Sequence, residues 1–275
     1  MRYVVALGLL IVMVTGIAPS AVAAECMDCH EAAEVHVSFR HQSAGVTCAD
    51  CHGPSLAHLE RRRNPPDVIF RPDSAGETVN GSCLACHDDT SQVHWLASGH
   101  GAADVACSGC HKAHETDPAL DERAEATLCG SCHRDVVMSF KLPHRHPVPE
   151  GAASCTSCHN PHGSSSESLL AGSGLVDTCV ACHRDMKGPF LFEHDPVTED
   201  CGLCHKPHGS TTDALLLTRP PFLCQQCHMA AGHPSRLADG SAIAGGDSNL
   251  LARGCSNCHS QVHGSNHPGG ARLMR

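Results

Sequence analysis

Cys255-Ser256-Asn257-Cys258-His259 is the stretch on which the reading of this chain turns, because the same C-x-x-C-H pattern occurs ten times in 275 residues. The cysteine pairs are Cys26/Cys29, Cys48/Cys51, Cys83/Cys86, Cys107/Cys110, Cys129/Cys132, Cys155/Cys158, Cys179/Cys182, Cys201/Cys204, Cys224/Cys227 and Cys255/Cys258. A histidine follows each second cysteine: His30, His52, His87, His111, His133, His159, His183, His205, His228 and His259. The ten pairs consume all 20 cysteines. A zinc site would want two such pairs per tetrahedron and has no need of a histidine after each one. A disulfide framework has no use for that histidine either. C-x-x-C-H is the attachment pattern of c-type haem, in which both thiols bond to the porphyrin and the adjacent imidazole reaches the iron. The sequence therefore predicts ten covalently attached haem c groups, with these ten histidines as proximal ligands.

The rest of the composition agrees. Aromatic residues make up 3% of the chain, with one Trp, one Tyr and six Phe, while Gly and Pro contribute 25 and 17 residues. Large aromatics supply much of an ordinary core's buried area, so this polypeptide is poorly equipped to fold alone. Ten porphyrins would provide the missing apolar surface, and the apo chain is expected to be largely unfolded. The formal charge of −10 argues against nucleic acid as a partner, since phosphate binding needs a basic surface. Arg61-Arg62-Arg63 is the local exception and reads as a solvated turn or a partner for haem propionates.

Residues 1–24, MRYVVALGLLIVMVTGIAPSAVAA, have an early positive charge, an apolar run from Val4 to Val14, a Gly16/Pro19 break and a small-residue Ala21-Val22-Ala23 site. That is the pattern of a cleaved export signal, and the apolar run is short for a membrane span, which wants about 20 residues. Covalent haem attachment is an extracytoplasmic process, so the two signals agree on a periplasmic compartment.

The motifs fall into five modules of two, beginning at Cys26, Cys83, Cys129, Cys179 and Cys224, with spacings of 57, 46, 50 and 45 residues. The second motif of each module carries extra histidines. His41, His100, His146 and His194 lie 7 to 9 residues before it, and His58, His114, His162, His208 and His263 follow it closely. In the fifth module His233 stands 22 residues ahead of Cys255, across a Gly-rich insertion from Asp239 to Asn249. That insertion, Pro65 to Gly76 and Ser164 to Gly174 read as surface loops. Helix candidates are short: Pro118 to Leu128 running into Cys129, and Glu167 to Ala171 as at most a turn. No alternating apolar run suggests a sheet.

Ten distal ligands are needed if every iron has two protein ligands. His41, His58, His100, His114, His146, His162, His194, His208, His233 and His263 recur at matching positions and fill that number. His36, His94, His144 and His267 fall outside the pattern and are substitutes, His267 first because it shares the tail of His263. Spacing leaves open which distal histidine serves which haem. Two imidazoles close both axial positions, leave no substrate site and suit electron transfer. Met27, Met138, Met186, Met229 and Met274 are too irregularly placed to serve as a ligand series and read as packing residues.

The ten motifs, their flanking histidines, and the stretches DVACSGCHKAH from Asp104, FEHDPVTEDCGLCHKPHGS from Phe192 and CSNCHSQVHGSNHPGG from Cys255 resemble the MtrA/DmsE/PioA-type decahaem cytochromes. The resemblance covers essentially the whole mature chain and is thinnest between the leader and Cys48. It implies a multihaem cytochrome c fold: mostly irregular coil with short helices wrapped around ten haems, elongated, with pentahaem halves over 25–140 and 141–275. It also implies a periplasmic protein associated with the outer membrane and inserted in a β-barrel porin, where the haem row relays electrons across the membrane. An outer-surface multihaem cytochrome and periplasmic or inner-membrane redox proteins would be its partners. Metal or sulfoxide reduction and Fe(II) oxidation are all compatible with such a row. A soluble periplasmic carrier feeding a reductase is the second expectation. Multihaem nitrite or hydroxylamine enzymes also resemble the chain in motif content, but they use a haem without its distal ligand, and here histidine is in surplus. An electron-transfer protein without its own substrate site is therefore expected.

Overall fold

In the computed structural model the described residues are 26–30, 38–71, 73–89, 92–228 and 255–274. The expected leader, His36, His233, Met229 and the insertion 239–249 lie outside them.

The repeating local unit is a single helical turn around each motif. In nine motifs the histidine N–H donates to the first cysteine's carbonyl at 2.8–3.1 Å, and in the other, Cys48–His52, the motif is itself an α-helix. One such turn brings both sulfurs and the imidazole to one side, as a porphyrin requires. Thr47 and Asp50 close the start of Cys48–His52 with a reciprocal capping pair, the Thr47 N–H donating to Asp50 at 2.6 Å. The hydroxyl and N–H of Thr47 hold the Asp50 carboxyl below its ordinary range.

Longer elements lead into the first motif of a module. Gly76–Leu84 runs into Cys83, Glu125–Gly130 into Cys129 and Leu175–Val180 into Cys179. The helix expected over Pro118 to Leu128 is split: Pro118–Leu120 forms a 3-10 turn, a tight turn follows, and the α-helix begins at Glu125. Glu125 is drawn away to another task. Its buried carboxylate accepts from the N–H of Thr156 at 3.0 Å and from its hydroxyl at 2.6 Å. Asn80 does the same one module earlier, accepting from the N–H of Cys107 at 2.7 Å. In both modules the lead-in helix of the first motif is thus stitched to the opening turn of the second, where free N–H groups need acceptors.

Loops after the second motif fold back on it. Asn160 N–H donates to Leu169 O at 2.7 Å and Ala171 N–H to Cys158 O at 2.8 Å; one module later Lys206 donates to Leu215 O and Leu217 to Cys204 O. The reversals are made by left-handed pairs, Ser168/Leu169 and Ala214/Leu215, with φ of 53–58°. The loop expected from Ser164 to Gly174 therefore carries a 3-10 turn at Glu167–Leu169, and the one expected from Pro65 ends where the Gly76 helix starts. One small sheet also forms, contrary to expectation. β1 (Phe192–Glu193) pairs antiparallel with β2 (Gly264–Ser265), joining segments too short to show alternation in sequence.

Among the described residues the buried apolar side chains are Val79 and Trp95 alone, against seven buried polar or charged ones. A conventional hydrophobic core is thus missing among them, in keeping with a fold whose interior is porphyrin. The chain divides into two compact units, Met1–His87 with Ala106–Asp117, and Asp88–Val105 with Pro118–Arg275. The first contains the attachment motifs from Cys26 to His111, and the second those from Cys129 to His259.

Candidate haem sites

The two sulfurs of a motif lie at different depths, although the sequence treats them alike. Every first cysteine, from Cys26 to Cys255, is half-buried. Cys29, Cys86, Cys110, Cys132, Cys158, Cys182, Cys227 and Cys258 are exposed, and among the second cysteines only Cys51 and Cys204 are half-buried. The helical turn supplies the reason. The first cysteine opens the turn against a neighbouring element, whereas the second stands at its end, where the chain leaves. Cys29 and Cys132 show this plainly: each donates its N–H to the first cysteine of its own motif, Cys26 O or Cys129 O, at 3.2 Å. The Cys132 sulfur accepts from the hydroxyl of the adjacent Ser131 at 3.8 Å. A thiol so placed is open to reaction with a porphyrin, which a buried one is not.

Eight of the motif histidines face a second imidazole. The pairs are His30 with His58, His87 with His41, His52 with His114, His133 with His100, His183 with His146, His159 with His208, His228 with His194 and His205 with His263. Ring centroids in these pairs are 6.0–6.2 Å apart, while the angle between ring planes runs from 12° to 80°. Rings that pack directly on each other spread over centroid distances of about 4.5–7 Å, so a near-constant distance with an unconstrained angle is not their signature. It fits a body held between them. An imidazole nitrogen binds a first-row metal at about 2 Å, with the ring centre roughly 1 Å behind it, so two ligands on one iron set their centres about 6 Å apart. Each ring remains free to turn about that axis. The donor set of two thiols, one motif imidazole and one facing imidazole matches a covalent haem with both axial positions filled.

The pairs follow a rule that spacing had left open. Where the motif opens a module, from His87 onward, the facing histidine precedes the second motif of the module before: His41, His100, His146 and His194 in turn. His52, His159 and His205 close their modules, and each faces a histidine that follows the closing motif of the next module. His30 faces His58 inside its own module. Of the remaining expected distal ligands, His162 lies edge-on to Trp95 at 6.4 Å and His233 is outside the described residues. The substitutes hold other posts: His144 sits 3.4 Å from Asp213 and its backbone bridges Ser210, and His267 accepts the N–H of Gly269.

Hydrogen bonds aim these rings. Nδ1 of His100, His146 and His194 donates to the carbonyls of Pro161, Pro207 and Val262 at 2.9, 2.7 and 2.8 Å. A carbonyl can only accept, so Nδ1 carries the proton and Nε2 is left for the metal. Each of these acceptors immediately precedes another expected distal ligand, His162, His208 or His263. One short stretch therefore orients two imidazoles. His58 donates likewise to Asn64 O at 2.6 Å. Among the motif histidines, His52, His159, His205 and His259 donate to the carbonyls of Val68, Ser168, Ala214 and Arg272, while His111 bonds the Asp117 carboxylate at 2.8 Å. Burial, reinforced by His159 and His146, holds His208 below the usual histidine range; burial with His205 and His194 does so for His263. Neutral imidazole is the ligating form.

The scarce aromatics are spent here. Phe70 stands edge-on to His52 at 5.1 Å, Phe140 lies 5.5 Å from His208, and Trp95 supports His162. Composition alone had shown only that they are few.

Sulfur positions give the order of the sites. Within modules the first cysteines are near enough to act on each other's thiols: Cys83 with Cys107, Cys129 with Cys155, Cys179 with Cys201, and Cys224 with Cys255. The bond from Cys83 lowers the Cys107 thiol to about 7, and that from Cys129 does the same for Cys155. Between modules the second cysteines are neighbours. Burial first, then the nearby charge of Cys86, Cys182 or Cys227 among others, pushes Cys51, Cys158 and Cys204 up. Attachment points thus succeed one another in sequence order, from Cys48 to Cys110 in the first unit and from Cys129 to Cys258 in the second.

These features define a multihaem c-type cytochrome, an electron-transfer protein with ten covalently bound haem c groups. The doubled CXXCH motif model matches residues 100–138, 146–188 and 194–233. The chain is 42% identical over 268 residues to the Multiheme cytochrome MtrA of Shewanella baltica (strain OS185), covering 91% of this chain and 80% of that protein. It belongs to the MtrA family of multihaem cytochromes.

Proposed function

We propose that the chain relays electrons along a row of bis-histidine haems across the outer membrane, seated inside a β-barrel porin. The observation that carries this reading is the set of eight imidazole pairs with a common 6.0–6.2 Å separation. We assign the twenty cysteines as attachment points, the ten motif histidines as proximal ligands, and the ten repeat-matched histidines, His233 among them, as the distal set. The haem supplies one-electron Fe(III)/Fe(II) chemistry. The protein's part is to fill both axial positions, so that no substrate, oxygen species or water reaches the metal, and to hold successive sites side by side.

Within each unit the sequence order of the attachment points supports a row over a cluster, and a row suits transport over distance. On this reading 25–140 and 141–275 are pentahaem halves, the leader directs export, and the chain has no substrate chemistry of its own. Its partners are the barrel, an outer-surface multihaem cytochrome that exchanges electrons with metal oxides, sulfoxides or Fe(II), and a periplasmic or inner-membrane redox protein. No helix among the described residues is long and apolar enough to cross a membrane; passage would be provided by the barrel.

The test is purification from detergent-extracted outer membranes, followed by reconstitution into liposomes enclosing an oxidised dye. A barrel protein should co-purify, and external reductant should reduce the trapped dye only when both proteins are present. Recovery entirely in the periplasmic fraction without a barrel would instead make the chain a soluble carrier.

A further inference from the structure

The motif histidines that close the five modules form a series in which four members share one arrangement and one departs. His52, His159, His205 and His259 each donate Nδ1–H to a backbone carbonyl, at 3.1, 2.8, 2.8 and 2.6 Å. The acceptors come 16, 9, 9 and 13 residues downstream, on the loops that fold back over the motif. At His111 the acceptor is the side chain of Asp117, only six residues on, with Oδ2 at 2.8 Å. The Asp117 side chain is 16% exposed and that of His111 38%, so the carboxylate is the better shielded partner and its charge is only partly screened by water.

We propose that Asp117 is a positioning residue that sets the haem attached at Cys107 and Cys110 to a lower reduction potential than the other module-closing sites. The inference rests on the reading of His111 as an axial ligand. A hydrogen bond from imidazole to a carboxylate is charge-assisted and stronger than one to a carbonyl. It draws the Nδ1 proton outward, leaves more electron density at Nε2 and makes the ring a better donor to the metal. A better donor stabilises Fe(III) over Fe(II). The carboxylate's own charge favours the more positive state as well. Both effects have the same sign, and the hydrogen-bond environment of an axial ligand is a recognised lever on haem potential. A gain of charge assistance is worth on the order of tenfold in the Fe(III)/Fe(II) equilibrium, which is about 59 mV for one electron. In a row of otherwise similar sites this one would be the last of its series to accept an electron.

The experiment compares the holo-protein with its Asp117→Asn, Asp117→Ala and Asp117→Glu variants in redox titrations. Reduction is followed by absorbance and by loss of the low-spin ferric signals in electron paramagnetic resonance, after each preparation is shown to hold ten haems. Asp117→Asn and Asp117→Ala should move one tenth of the reduction amplitude to higher potential by roughly tenfold in the equilibrium constant, and Asp117→Glu should return it toward the original curve. Superimposable curves for all four proteins would overturn the proposal. A His111→Met variant separates the two levels: if one tenth of the low-spin signal changes in it while the Asp117 variants stay silent, the ligand reading stands and the role of the carboxylate falls. If His111→Met alters nothing, the ligand reading itself fails. Should the neutral variants not retain ten haems, the reduced wild-type protein decides by nuclear magnetic resonance. The His111 Nδ1 proton should lie downfield of its counterparts on His52, His159, His205 and His259, and coincidence with them would refute the proposal.

Discussion

An imidazole that holds iron must be neutral, must turn Nε2 to the metal and must keep still. The Nδ1–H bond of His194 to Val262 O serves the last two of these, and the ring stands 6.0 Å from His228. Replacing His194 by Ala should open one iron in ten. The variant should keep ten haems, because two thioether bonds hold each, and should gain a high-spin ferric signal of about one tenth of the total iron. His144 provides the contrast. Its ring makes a 3.4 Å contact with Asp213, whose side chain is 94% exposed, and exposed ion pairs are worth about 0–1 kcal/mol. His144→Ala should leave the haem spectrum unchanged and lower stability by less than about 1 kcal/mol in denaturant titration. The sequence already sets these two histidines apart, since His194 has counterparts 7 to 9 residues before the second motif of other modules and His144 has none. Asp117 was not within reach. It is one of 29 carboxylates, and only folding shows which of them meets an Nδ1–H. The unequal depth of Cys129 and Cys132 was hidden too, because it depends on what packs against each end of the turn.

The module is held together by short elements whose value lies in where they stop. Gly209, beside His208, is one such stop: a Cβ there would come within 2.0 Å of Ser139 O, and that neighbour is backbone and cannot turn aside. Gly163, beside His162, meets His94 O at 2.7 Å in the same way and has a φ of +115°. Gly209→Ala should cost about 1–3 kcal/mol by overpacking. It should also displace His208 from His159 and produce a high-spin fraction near one tenth. Gly174, whose Cβ would meet nothing within 4 Å, should tolerate Ala with an unchanged spectrum and midpoint. The His-Gly pairs are visible in the sequence, yet their reason is tertiary contact. The helix expected from Pro118 to Leu128 is broken over 121–124, and the Glu125 that opens its second part is tied to Thr156 in the next motif. The offset between each motif and its facing histidine was likewise hidden, as it depends on how successive modules interleave.

At the scale of the molecule, composition predicted that polypeptide alone would not make a core, and Val79 and Trp95 are what the described residues bury of one. A pair of rings is worth only about 0.5–1.5 kcal/mol beyond the area it buries, too little to fix eight imidazole pairs at one separation in a chain without a core, so the pairs depend on what lies between. Protein made without haem attachment should therefore lack a cooperative thermal transition by circular dichroism and be cut by protease throughout. A sharp transition in such a sample would mean that the chain carries its own core. Haem as scaffold and haem as conductor are then one arrangement, since the ligands that fix the chain also shut the iron.

Carbon monoxide titration of the fully reduced ten-haem protein measures that closure directly, because carbon monoxide binds ferrous iron only where an axial position is free. The prediction is no spectral change beyond a trace, with ten low-spin irons in the matched oxidised sample. Uptake by several equivalents per chain, alongside high-spin ferric iron in proportion, would contradict it.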